Sequence, residues 1–145
     1  GRYEDRWVTL EFDPESPCIW TKGITRIECP VRHGEGRFVM PSTIDLDELN
    51  NNNQIVTRYV DPATEAGKGI TDEMLPFPIC PNGSIRNIAG ICDPTGLVFG
   101  LMPHPEAAYA NFLHPQHTRS DVNEEILSDT MKIFQNAVEY VQANL

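Results

Sequence analysis

Positive charge is scarce in this sequence. Its 145 residues hold 11 Lys and Arg against 21 Asp and Glu, for a formal net charge of −10. The basic residues are scattered, whereas a phosphate backbone is bound by a clustered positive face, so nucleic acid is not an expected partner. Long apolar runs are also missing. Nothing approaches the roughly 18–20 residues that cross a bilayer, and the opening GRYEDRWV has neither the basic region nor the apolar core of a signal peptide. Membrane and secretory readings are therefore not expected, and a cytoplasmic location is. The four cysteines, Cys18, Cys29, Cys80 and Cys92, form no CxxC pair. Without a sign of an oxidising compartment they are expected as reduced thiols. Repeats and low-complexity tracts are absent beyond the short run Asn50 to Asn53.

What is present is enough for a core, since Leu, Ile, Val and Phe make up a quarter of the chain. Arg6 to Phe12 alternates and is rich in β-formers, which predicts a strand ending at Asp13-Pro14. Ile24 to Val31 predicts a second, with Pro30 expected to take it out of the ladder before the loop His33-Gly34-Glu35-Gly36. Ser42 to Leu49 opens with a capping residue and carries acids in its first turn, so a short helix is expected there. Gln54 to Val60 alternates as a strand, and Asp61 to Pro81 lacks any sustained period.

Ile88 to Ile91 and Leu97 to Met102, joined through Asp93-Pro94-Thr95-Gly96, predict a hairpin. The second run is apolar on both faces, as in a strand covered on both sides. From Asp121 a helical period runs through Val122, Ile126, Leu127, Ile133, Phe134, Ala137, Val138 and Val141, with Asp121 and Glu124 spaced as a capping box. It predicts a closing helix of about five to six turns. Strands with a long closing helix imply a layered α/β architecture. One long and one short helix are too few to cover both faces of a sheet whose strands read as buried.

The residues best suited to chemistry lie in Met102-Pro103-His104-Pro105-Glu106. In extended backbone, residues i and i+2 point the same way, so His104 and Glu106 are expected side by side. A carboxylate on one imidazole nitrogen fixes the tautomer and stabilises the imidazolium formed when the other nitrogen takes a proton. The flanking prolines stiffen the segment, and its place after an apolar strand suits an α/β active site. A surface turn that happens to contain His and Glu is the competing reading. Nucleophiles are harder to find. None of the four cysteines occupies a sharp strand-to-helix turn that would expose its thiol, so each reads as an ordinary buried or loop thiol. His33 to Gly36 puts another His and Glu in a loop whose glycines permit close approach to a ligand. His114 and His117 lack a second ligand pair at metal spacing, and no metal site is assigned.

Taken together, Pro30 to Phe38 (PVRHGEGRF), Pro81 to Ser84 (PNGS) running on to Asn87 to Ile91, and Gly100 to Glu106 (GLMPHPE) resemble the glutaminase subunit of phosphoribosylformylglycinamidine synthase, a class I glutamine amidotransferase. Gly1 to Val8 is similar to a segment shortly after that family's nucleophile region, and the likeness runs in order to about residue 140. The resemblance implies a flavodoxin-like three-layer α/β sandwich that hydrolyses glutamine to glutamate and ammonia through a Cys–His–Glu triad. It implies His104 and Glu106 as the triad His and Glu, and His33, Gly34, Glu35 and Gly36 as the border of the glutamine pocket. It also implies a synthetase subunit or domain as partner, where ATP and Mg would act, with no cofactor in this chain.

The departures are specific. The family's Gly-x-Cys-x-Gly-x-Gln nucleophile turn is absent, as are the strands and helices that precede it. Cys80 stands where an Asn usually precedes Pro-Asn-Gly-Ser, and Ala107 stands where the short bacterial form commonly has Arg. Residues 1–145 are accordingly expected to be the C-terminal portion of one amidotransferase domain, inactive alone and associating through the incomplete sheet with the missing portion or with itself. A non-catalytic interaction module derived from that fold, and a metal-dependent hydrolase using the four histidines, are the alternatives.

Overall fold

A computed structural model of the chain describes residues 3–119 and 128–144. Its centre is a five-stranded sheet in the order β2-β1-β3-β4-β5, antiparallel at every pairing. The strands are β1 (Glu4–Phe12), β2 (Arg26–His33), β3 (Ile55–Tyr59), β4 (Ile88–Cys92) and β5 (Phe99–Leu101). Two helices accompany them, α1 (Thr43–Asn51) and α2 (Lys132–Asn144).

Period-two alternation sorts the β3 side chains onto two faces. Ile55 packs with Leu46 of α1 and Ile88, while its neighbour Val56 joins Leu10, Ile27, Cys29 and Val31 in the cluster that contains Ile133 of α2. A helix therefore contributes to the core on each side of the sheet. The expected cap of α1 is present: the Ser42 hydroxyl accepts the Asp45 amide at 3.3 Å. At its far end Asn53 turns left-handed with φ of 54°, and the Gln54 amide reaches back to the Leu49 carbonyl at 2.9 Å. Asparagine is one of the few residues that takes this terminating conformation at low cost.

Three expectations need correction. Pro30 does not end its strand; it pairs across from Trp7, and β2 runs on to His33. The Pro30 carbonyl points away from β1 and accepts the His104 amide at 2.8 Å. The amide position of a strand residue faces the same edge as its carbonyl, so the missing N–H falls on the open side of an edge strand, where no ladder bond is lost. Leu97 to Met102 is not a strand covered on both sides. Only Phe99–Leu101 pairs, at the sheet edge, and Val98 is 68% exposed. The Asp93 carboxylate takes the Thr95 and Val98 amides, which keeps the residues before Phe99 in the turn. The closing helix is shorter than its period suggested. Ser128 is extended, with ψ of 161°, a 3-10 turn occupies Asp129–Met131, and α2 starts only at Lys132. The expected capping box, Asp121 with Glu124, lies outside the described residues.

The loop from Asp61 to Pro81 is irregular as expected, and it is tied to the sheet near both ends. Glu11, 1% exposed, receives two bonds from Arg26, at 3.1 and 2.7 Å, and the amides of Gly67 and Gly69 at 3.0 and 2.9 Å. Burial alone would raise this carboxyl, but Arg26 and the two amides outweigh it and hold Glu11 below the usual carboxylate range. The other end of the loop is pinned by buried Asn87. Its side chain donates to the Thr71 and Glu73 carbonyls and accepts the Leu75 amide.

Candidate active site

His104 leaves the sheet just after β5 and opens the 3-10 turn Pro105–Ala108. Its amide is tied to Pro30 on β2, and Met102 just before it is tied to Ala89 on β4 at 2.9 Å. The segment leaving β5, at one edge of the sheet, is thus tied to β2 at the other. His104 Nδ1 lies 2.8 Å from Glu106 Oε1, the side-by-side arrangement expected from their spacing. An ionised carboxylate has no hydrogen to give, so the shared proton sits on Nδ1 and Nε2 is the nitrogen that can exchange protons with a reactant. The pair borders a hollow of about 260 Å³, walled by Trp20, Phe99, Leu101, Pro103, Ile133 and Phe134. Carboxylate and imidazole are both partly open to solvent, with side-chain exposures of 62% and 38%.

Of the residues His33 to Gly36, the structure brings His33 to this pair, with Gly36 packed on its ring. The His33 ring lies 6.2 Å from that of His104, tilted at 45°. Both His33 nitrogens are buried without a hydrogen-bond partner. Burial is the largest influence and lowers the proton affinity of His33; its own backbone opposes the shift, the nearby His104 adds to it, and Glu4 opposes it, without cancelling it. Gly36 is buried against the same ring: a Cβ there would sit 1.8 Å from His33 Cε1. Gly34 and Glu35 lie on the exposed side of the loop, and a Cβ at Gly34 would meet nothing.

Sequence reasoning missed the supports of the pair. Cys29 on β2 lies fully buried beneath it, close enough for the His104 amide to favour its thiolate and for Glu106 to oppose it. Burial is the stronger influence and pushes that thiol well up. Burial raises Cys18, Cys80 and Cys92 as well, and all four are free and buried. Trp20 and Phe134 were equally invisible as pocket walls, since nothing in the pattern of either segment ties it to residue 104.

A second imidazole–carboxylate pair lies elsewhere. His114 Nε2 is 2.6 Å from Glu28 Oε2, its Nδ1 accepts the Gln116 amide at 3.1 Å, and its ring meets Trp7 edge-on. A larger hollow of about 420 Å³ adjoins these residues. With both ring nitrogens of His114 engaged, this pair secures the loop against the edge of the sheet and has no nitrogen left for proton transfer. Among the described residues no three His, Cys, Asp or Glu side chains gather as a metal-binding group, and no helix is long and apolar enough to cross a membrane.

Comparison with known proteins defines the class. The model of the CobB/CobQ-like glutamine amidotransferase domain matches residues 1–141, and the chain belongs to that family. Within it, the chain is similar to phosphoribosylformylglycinamidine synthase subunit PurQ. It is 40% identical to PurQ of Methanococcus maripaludis over 97% of this chain and 52% of that protein. PurQ of Dehalococcoides mccartyi is 38% identical over 98% of this chain and 50% of the relative. The structure of PurLQS from Thermotoga maritima contains a chain that superposes with a TM-score of 0.58 at 25% identity, over 97% of this chain and 49% of that one. The chain thus spans about half the length of the curated relatives it matches.

Proposed function

We propose that this chain carries the His–Glu part of a glutaminase that releases ammonia from glutamine for phosphoribosylformylglycinamidine synthase in purine biosynthesis. The observation that supports it most directly is the His104 Nδ1 to Glu106 Oε1 contact of 2.8 Å, facing a hollow in a chain of the amidotransferase family. On this reading residues 1–145 form the C-terminal portion of a single flavodoxin-like three-layer domain, and the nucleophilic thiol comes from outside them. The partner is the synthetase subunit or domain, which holds ATP and Mg; this chain has no cofactor of its own and works in the cytoplasm.

In the reaction His104 Nε2 takes the proton of the thiol, and the thiolate attacks the side-chain amide carbon of glutamine, forming a C–S bond and a tetrahedral intermediate. As the C–N bond breaks, His104 gives its Nε2 proton to the leaving ammonia. Glu106 meanwhile stabilises the imidazolium from the Nδ1 side. Water then attacks the thioester, His104 takes its proton, and glutamate leaves with the thiol restored. His33, whose ring stands 6.2 Å from that of His104, borders bound glutamine together with Gly34, Glu35 and Gly36. The exposed Val98 near β5 and Val138 and Val141 on α2 fit close pairing with the remainder of the domain or with a second copy.

The test is glutamate release from glutamine by the 145-residue chain and by the protein at its natural full length with its synthetase partner. No turnover by the chain, and turnover by the full assembly that His104→Ala lowers by about 10²–10⁴, is the expected result. An assembly indifferent to His104→Ala would reject the reading and favour a non-catalytic interaction module.

A further inference from the structure

We infer that Thr130, with Ser128 beside it, is the positioning residue that holds Glu106 against His104. The geometry stands by itself; its catalytic meaning rests on the glutaminase reading above. Glu106 is too exposed for packing around its carboxylate to fix its direction, so its aim depends on the backbone turn that carries it. That turn, Pro105–Ala108, opens with the bond from the Ala107 amide to the His104 carbonyl at 3.0 Å. The carbonyl of its last residue, Ala108, lies at the end of the turn and needs a donor from outside it.

Thr130 supplies one. Its hydroxyl lies 2.9 Å from the Ala108 carbonyl and 3.2 Å from that of Pro105, so its single hydrogen is shared between the two ends of one turn. The Ser128 hydroxyl lies 2.6 Å from the Thr130 hydroxyl and also donates to the Ala108 carbonyl. The Ser128 amide donates to the Tyr109 carbonyl at 3.1 Å. Thr130 is 2% exposed. Water therefore cannot replace its hydroxyl, and removing it takes away one of the two side-chain donors to the Ala108 carbonyl and the side-chain donor near that of Pro105.

The grip is itself anchored. Thr130 sits in the turn that leads directly into α2. The Asn136 amide group of α2 donates to the Trp20 and Lys22 carbonyls, each at 2.9 Å, and Lys132 Nζ to the Gly23 carbonyl at 3.0 Å. With the Pro30 carbonyl holding the His104 amide from the other side, histidine and carboxylate are each fixed by a different part of the fold.

This assignment has a spectroscopic signature. A free neutral imidazole prefers its proton on Nε2, and Glu106 at Nδ1 reverses that preference. Ring ¹⁵N shifts of histidine read the tautomer directly in the protein at its natural full length, at about pH 8.5, where an ordinary imidazole is neutral. The His104 resonances are assigned by their loss in His104→Gln. The wild type is expected to show the Nδ1–H form. Thr130→Val, which keeps the shape but not the hydroxyl, should lower the ratio of Nδ1–H to Nε2–H by about fivefold or more, as expected for most of a charge-assisted hydrogen bond.

Thr130→Ser should restore the ratio. His114, held as Nε2–H by Glu28 in the second pair, should stay unchanged, which reports an intact fold. An unchanged His104 ratio in Thr130→Val, or no rescue by serine, overturns the assignment. If Thr130→Val does not fold, Ser128→Ala must lower the ratio in the same direction, and an unchanged ratio there overturns it too. Glutamine turnover is not the readout, so failure of the glutaminase reading and failure of this one are seen separately.

Discussion

The rings of His33 and His104 stand 6.2 Å apart, one with both nitrogens buried and unpartnered, the other paired to a carboxylate. Two imidazoles this close resist carrying charge together, and the fold resolves the conflict by burying the ring nitrogens of His33 and leaving His104 partly open to solvent. The consequence for stability follows from linkage. The folded His33 binds its proton less readily than the unfolded side chain, whose pKa is about 6.5. The unfolded state therefore takes up more protons as pH falls below that value, and stability present above it is lost. Stability curves of wild type and His33→Phe between pH 8 and 5 should show a smaller acid loss in the variant; equal losses would contradict the buried, neutral His33.

Gly36 is the cause of that burial. Gly36→Ala would place a Cβ inside the His33 ring, so the ring or the loop must move. Overpacking of this kind typically costs about 1–3 kcal/mol. Thermal unfolding should show the loss, and Gly34→Ala, at an open position, should not. Equal effects at the two glycines would mean that the ring does not rest on Gly36.

Glu11 makes a third case. Glu11→Gln removes a buried charge that Arg26 and two loop amides were placed to meet. Breaking a buried pair by removing one partner costs about 3–5 kcal/mol. Because the folded carboxyl is held below its unfolded value of about 4.3, its contribution is present above that pH and is lost as pH falls through the folded value. Chemical denaturation at pH 7 and at pH 3 should show a large deficit for the variant at the first and a smaller one at the second. A deficit independent of pH would contradict the account.

Burial raises all four thiols. A thiol reagent at pH 7.5 should therefore modify Cys18, Cys29, Cys80 and Cys92 slowly in the native state and rapidly once the chain is unfolded. A cysteine reacting at once in the native protein would be a nucleophile within the 145 residues and would remove the need for one outside them.

The local elements were legible because their causes are local. Alternation in Arg6 to Phe12 and Gln54 to Val60, the Ser42 cap and the Asp93 turn each act within a few residues. The spacing of His104 and Glu106 likewise carried its own geometry. What escaped the sequence depends on distant partners. Pro30 reads as a strand end unless one knows that β2 is an edge and that His104 lies across from its carbonyl. Leu97 and Val98 read as buried because apolar pattern does not report which strand ends the sheet. The helical period upstream of Lys132 took no account of Ser128, whose extended backbone places it and Thr130 against the Glu106 turn. His33 and His104 meet through the bond from the His104 amide to the Pro30 carbonyl, three residues before His33 on the open edge of β2.

The most direct test of the central claim is the rate of glutamine hydrolysis by the Glu106→Gln variant of the protein at its natural full length, assembled with its synthetase partner. Glutamine at position 106 keeps the size of the side chain but removes the charge that stabilises the imidazolium and fixes its tautomer. A fall in kcat of about 10²–10⁴ with KM little changed is the predicted result. A kcat equal to that of the wild type would contradict the assignment of His104 and Glu106 as the acid–base pair of a glutaminase.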